Sequence, residues 1–245
     1  MTSLLRAELL KLRTTRTFVA LVGVTLALSL LVVVLSTLLS SGFAPGDAQD
    51  LFSADFTGLF IMLLGVIGMA GEWRHRTITG TVLAAPDRLR LMTAKMLAYA
   101  AAGVVLSLIV TVTIMLVGTI ILSSRDFDTV AFSDLVDVLW RNLLVAALVG
   151  ALGVGIGALV RNQVVAIIGV LILGFVVEPA LFGLAPDVAK YGPTQGAPAG
   201  IQDIQFFGDE GTDTLAPGVA TLVMLGWIAL FFAAAGVRLR SRDLV

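Results

Sequence analysis

Residues 18–39 read FVALVGVTLALSLLVVVLSTLL, and residues 2–17 before them read TSLLRAELLKLRTTRT. The first run carries no charge and, at 1.5 Å per residue, is long enough to cross a hydrocarbon core of about 30 Å as a helix. It shows no period-two alternation, so a barrel strand is excluded, and only a helix satisfies its own backbone in lipid. A cleaved leader would carry an apolar region of about 7–15 residues, so this longer run is read as a retained span.

The same reading repeats along the chain. Predicted spans cover 18–40, 54–72, 94–122, 140–160, 164–184 and 217–237, with Glu178-Pro179 interrupting the fifth near its end. The expected fold is an all-α integral membrane protein of six transmembrane helices, a single transmembrane domain over residues 1–245. Composition agrees: 58% of the residues are hydrophobic and 13% charged, against about a quarter charged in soluble domains. The absence of cysteine and the single histidine exclude a disulfide framework and a zinc site of ordinary type. A net charge of −1 gives nucleic acid no footing.

Charge distribution orients the bundle. With the N-terminus in the cytoplasm, all of the 16 Lys and Arg residues except Arg125, Arg141 and Lys190 fall on that side. Of the 17 acidic residues only Glu8, Glu72, Asp87 and Asp243 join them. The expectation is a multi-pass protein of the cell membrane with both termini cytoplasmic.

No G-x-x-x-x-G-K-[ST], H-E-x-x-H or G-x-S-x-G occurs in the chain, so no enzyme is expected. The apolar cores of these spans (18–39, 56–70, 97–122, 143–160, 164–184 and 217–237) hold no ionisable side chain apart from Glu178 near an outer end, with Arg141 at an outer edge. Ion-coupled transporters need such groups. Active transport by this chain would therefore draw its energy from outside the membrane.

Two cytoplasmic features look built for contact. Residues 2–17 place Leu5, Leu9 and Leu12 along one side with Arg6, Lys11 and Arg13 around them, the pattern of an amphipathic helix lying in the headgroup region or of a simple topology signal. The loop 71–95 reads GEWRHRTITGTVLAAPDRLRLMTAK. In it Thr77 caps a short helix with Ile78 and Val82 on one face, ended by Pro86. Glu72 stands where the second span leaves the membrane, among Arg74, Arg76 and Arg88. An ion pair that fixes the loop angle is its expected structural role.

The order Glu72, Thr77, Thr81, Pro86, Arg88 and Lys95 between spans two and three resembles the permease subunits of ABC-2 type transporters. The basic segment 2–17 is similar to that family's connecting helix. Glu178-Pro179, followed by Tyr191-Gly192-Pro193-Thr194, resembles the outer region of its bacterial drug- and antibiotic-exporter branch. The resemblance implies a cytoplasmic coupling helix at about residues 77–84, seated in a groove of a separate P-loop ATPase. It also implies an assembly of two permeases, either copies or paralogues, with two ATPases that hold the ATP and magnesium. Glu72, Arg74, Arg76, Thr77, Ile78, Thr81, Val82 and Arg88 would then be the ATPase-coupling set, and Glu178 and Pro179 an outer gate. Few aromatics lie in the spans, which favours a small amphipathic or apolar cargo (a drug, antibiotic, lipid or peptide-like molecule) over a glycan. The rival reading is a non-transporting scaffold or assembly factor that docks a soluble partner through the same basic loop.

Three smaller expectations complete the reading. Gly153-x-x-x-Gly157 in span four, with Gly65 and Gly68 in span two, marks close helix packing, within the chain or between copies. Ser29, Ser107, Thr111 and Thr113 are expected to bond their own helix carbonyls. Residues 185–216 form either an exposed loop or a short helix that folds back.

Overall fold

The computed structural model describes residues 2–40, 47–53, 55–74, 88–125, 127, 130–160, 162–204 and 214–240. Its helices are α1 (Thr2–Thr14), α2 (Arg16–Leu39), α3 (Asp47–Ser53), α4 (Thr57–Arg74), α5 (Arg88–Ser124), α6 (Phe132–Val160), α7 (Gln163–Ile172), α8 (Glu178–Leu184), α9 (Pro186–Ala189), α10 (Gly196–Gln202) and α11 (Pro217–Arg240). Among the described residues there is no strand. Six stretches are long and apolar enough to cross a membrane: Arg16–Leu39, Asp47–Glu72, Leu89–Ser124, Phe132–Val160, Gln163–Leu184 and Pro217–Arg238. The all-α membrane architecture expected from the sequence is the one observed.

Two helices outrun their apolar cores. α5 starts at Arg88 and α6 at Phe132, ahead of the predicted starts at 94 and 140. Apolarity marks how much of a helix sits in lipid, whereas backbone hydrogen bonding continues through polar turns beyond it.

α6 is the hub, packed against α4, α5 and α11. Its glycines allow this. A Cβ on Gly65 of α4 would stand 2.7 Å from Gly150 O, and one on Gly157 of α6 would stand 2.8 Å from Val66 O. Backbones meet without intervening side chains, so the small-residue face is a seam within the chain.

The fifth span does not stop at Glu178-Pro179. Between α7 and α8 the backbone widens into a π segment, Leu173–Val177, where the Glu178 N–H reaches Leu173 O. Proline at 179 has no N–H to give, and continuing the wide register would leave Gly174 O without a donor. The side-chain Nε2 of Gln195 donates to that carbonyl at 2.7 Å. The proline is thus absorbed as a register change, and the helix runs on to Leu184.

Residues 185–204 fold back into the bundle. α9 and α10 are short, and Gly196 to Ile201 are all buried, with α10 against α11 and α6. Ile201 and Ile204 are buried, while Phe206 and Phe207 lie outside the described residues.

Candidate functional site: a buried charge cluster and a broken span

At the α1 end of the bundle, two acids and two lysines from three elements converge. Lys95 Nζ in α5 donates to Glu8 Oε2 at 2.7 Å and pairs with Glu72 Oε1 at 2.8 Å. Lys11 Nζ pairs with Glu8 Oε1 at 2.7 Å and Glu72 Oε1 at 3.4 Å. Lys95 is 1% exposed and Glu8 4%, whereas Lys11 reaches the surface. Charges this deep are tolerated only when paired. Burial pushes the Glu8 carboxyl up, but the Lys95 ammonium and hydrogen bonds from Lys11 and Lys95 outweigh it and hold the group below its ordinary value. Burial pulls Lys11 down, and the carboxylates of Glu8 and Glu72 more than reverse that, leaving it raised.

The cluster fastens α1 to the end of α4 and the start of α5, the two helices that flank residues 75–87. It edges a cavity of about 560 Å³, lined also by Phe18, Tyr99 and Gln163. Tyr99 is held close by Gly68, where a Cβ would collide with the Tyr99 hydroxyl.

Several expected contacts are redrawn. α1 buries Glu8 and Leu12 and half-buries Leu5, while Leu9 is exposed, so the inward face runs Leu5, Glu8, Leu12 rather than through Leu9. The spacing of an acid at i+3 between two leucines carried that signal, but the apolar stripe masked it. Arg6 and Arg13 are exposed as expected, as is Arg74. Glu72 is drawn toward Lys95 and Lys11. Arg76, Thr77, Ile78, Thr81 and Val82 lie outside the described residues, as does the side chain of Arg88.

At the far end, the second span is interrupted. α3 ends at Ser53, α4 begins at Thr57, and Asp55 and Phe56 are not helical. Such a break strands backbone groups that lipid cannot satisfy. Here side chains from α2, α6 and α10, with Asp55 of the break itself, answer them. Asn142 Nδ2 donates to Phe52 O at 3.1 Å, and Gln202 Nε2 donates to Ser53 O at 2.7 Å. The Phe56 N–H reaches Ser29 Oγ at 3.2 Å, and the Thr57 N–H reaches Asp55 Oδ1 at 2.9 Å. Gln202 Nε2 also reaches Asn142 Oδ1 at 2.8 Å, and the Thr111 hydroxyl donates to Asp55 Oδ2 at 3.0 Å.

The interior is therefore not free of ionisable groups. Asp55 lies within the second span, and Lys95 sits inside the first turns of the third. An external energy source therefore does not follow from the make-up of the spans, which do hold such groups. Ser29 and Thr111 also bond across helices instead of to their own carbonyls, though Thr113 does bond Ile109 O. A short polar run at 53–57, Ser-Ala-Asp-Phe-Thr, was the available signal of a helix start at that point.

Glu178 is 1% exposed, and its carboxylate accepts the N–H groups of Thr194 at 2.8 Å, Gln195 at 2.6 Å and Gly196 at 3.2 Å. A Cβ on Gly192 would fall 2.6 Å from that carboxylate, so the chain closes over it only as glycine. Glu178 thus anchors the start of α10 on the fifth span. No group of His, Cys, Asp and Glu among the described residues is placed to hold a metal ion.

A family model described as ABC-2 family transporter protein matches residues 4–177, a range that contains the whole charge cluster and the broken second span. No curated protein matches the chain.

Proposed function

Since the chain belongs to the ABC-2 transporter family, we propose that it is the permease of a two-component exporter, driven by a separate cytoplasmic P-loop ATPase that supplies ATP and magnesium chemistry. Two permeases with two ATPases would make the working unit, seated in the cell membrane with the α1 end facing the cytoplasm. Its cargo is a small amphipathic or apolar molecule. No residue of this chain is catalytic.

The observation that carries the reading is the Glu8–Lys11–Glu72–Lys95 cluster. It locks the amphipathic helix to both helices that leave for residues 75–87, the segment offered to the ATPase. A push delivered there reaches α4 and α5 together, because parting them separates the buried Lys95–Glu72 pair, and it reaches α1 through the Lys95–Glu8 and Lys11–Glu72 contacts. Re-tilting those helices would shift a two-state bundle between inward and outward access.

The test is Glu72→Lys in the complex purified with its ATPase. Hydrolysis should continue while transport into vesicles collapses, with the protein still inserted. Normal transport by that variant would remove Glu72 from the transmitting set, and failure of any ATPase to co-purify with the wild type would favour a scaffold.

A further inference from the structure

A second cavity, of about 320 Å³, opens at the break in the second span, between α2, α4, α6, α7 and α10. That is within the size range of small-molecule sites, roughly 300–1,000 Å³. Its walls are mainly apolar, with Val32, Met62, Val149, Val170 and Phe175 among them, and Asp55, Thr194, Gln195 and Gln202 add polar atoms.

Those polar atoms have one character. Gln195 spends its Nε2 on Gly174 O, and Gln202 spends its Nε2 on Ser53 O and Asn142 Oδ1. Gln195 Oε1 and Thr194 Oγ1 are buried and meet no hydrogen-bond partner. Asp55 receives one N–H and one hydroxyl, and no cation pairs with it among the described residues. Every other buried carboxylate described above has either lysines or three N–H donors. The cavity therefore offers an anionic group and a spare carbonyl acceptor on Gln195, with the unpartnered Thr194 hydroxyl able to accept as well as donate.

We infer that this cavity binds a small amphiphilic monocation, whose ammonium pairs with Asp55 and donates to Gln195 Oε1 and Thr194 Oγ1 while its apolar body packs on Val149, Val170 and Phe175. The rings of Phe56 and Phe175 add a surface on which a cation rests favourably. A neutral molecule of the same shape leaves the carboxylate without a counter-ion, which penalises it. The inference deepens the exporter reading by giving its cargo a charge, and it rests on that reading only for calling the ligand cargo.

The experiment is direct binding to the purified full chain in nanodiscs of zwitterionic lipid, with phenylbutylamine as the cationic probe and phenylbutanol as its neutral match. Saturable binding of the amine is expected, about tenfold or more tighter than the alcohol. Asp55→Asn keeps the acceptor for the Thr57 N–H and should bring the amine down to the level of the alcohol. Gly58→Phe is the second variant: Gly58 lines the cavity, and a Cβ there meets nothing within 4 Å, so the backbone has room for a side chain that takes up cavity space. It should abolish binding of both probes while Asp55 stays in place. Failure of the wild type to bind the amine, equal binding of amine and alcohol, or undiminished amine binding by either variant would overturn the site. No ATPase takes part, so this result and the Glu72→Lys result fail independently.

Discussion

At the α1 end, Glu8, Lys11, Glu72 and Lys95 neutralise one another within 3.4 Å. At the far end, amides and hydroxyls hold an interrupted helix, and one carboxylate, Asp55, has no described cation beside it. Both arrangements bring polar groups into a body surrounded by lipid, but they differ in what remains unspent. The charge cluster is closed: its members answer each other, and it can only move as a unit or come apart at high cost. The broken span is open: Phe52 O, Ser53 O and the N–H groups of Phe56 and Thr57 have partners, yet acceptors are left at a cavity. A closed set suits transmission of force, and an open one suits capture of a ligand.

The contrast is broken most severely by Lys95→Met. Removing this deeply buried cation leaves Glu8 and Glu72 with only the half-exposed Lys11 between them, and the cost should be about 3–5 kcal/mol. Thermal unfolding in detergent would show it, and adding Glu8→Gln to the same chain should recover part of the loss. Equal melting of Lys95→Met and wild type would mean that the cluster is not closed. Gln202→Leu probes the other end. It orphans Ser53 O and one side of Asn142, and should cost roughly 1–3 kcal/mol, while leaving the α1 end unaltered in proteolysis or cross-linking.

Much of this contrast was hidden in the sequence for a physical reason. The spans, their number and the termini of the apolar segments follow from residues such as 18–39, because burial in lipid demands an uninterrupted apolar length. Glu178-Pro179 reads as an interruption of the fifth span because proline removes a donor, yet Gln195, distant in the chain, supplies one. Asp55 and Asn142 sit in apolar surroundings whose partners, Thr111 and Gln202, come from other helices. Local pattern reports on a helix and its solvent, and it is silent on hydrogen bonds between helices. Glu8 shows the same limit, since its partner Lys95 lies 87 positions away.

The smallest expected effects sharpen the comparison at its exposed margin. Lys11→Ala removes a lysine that is half in solvent and should cost less than about 1 kcal/mol. The pH response separates the pair. Glu8 is held below its ordinary value, so its contribution is complete above the usual carboxylate range and drains as pH falls through the folded value. Lys11 is raised, so its contribution is complete below the usual lysine range and is lost as pH climbs through the folded value. The melting difference between wild type and Glu8→Gln should be flat across neutral pH and shrink on acidification. A difference that grew in acid would contradict the assigned pairing.

The order of the cluster along the chain has a bearing on biogenesis. Glu8 and Glu72 are both translated before Lys95. The third hydrophobic segment therefore carries its ammonium toward the bilayer only after both acids that accept it have emerged from the ribosome. A permuted gene that placed residues 88–124 first would ask the insertion machinery to receive that charge with its counter-ions not yet made.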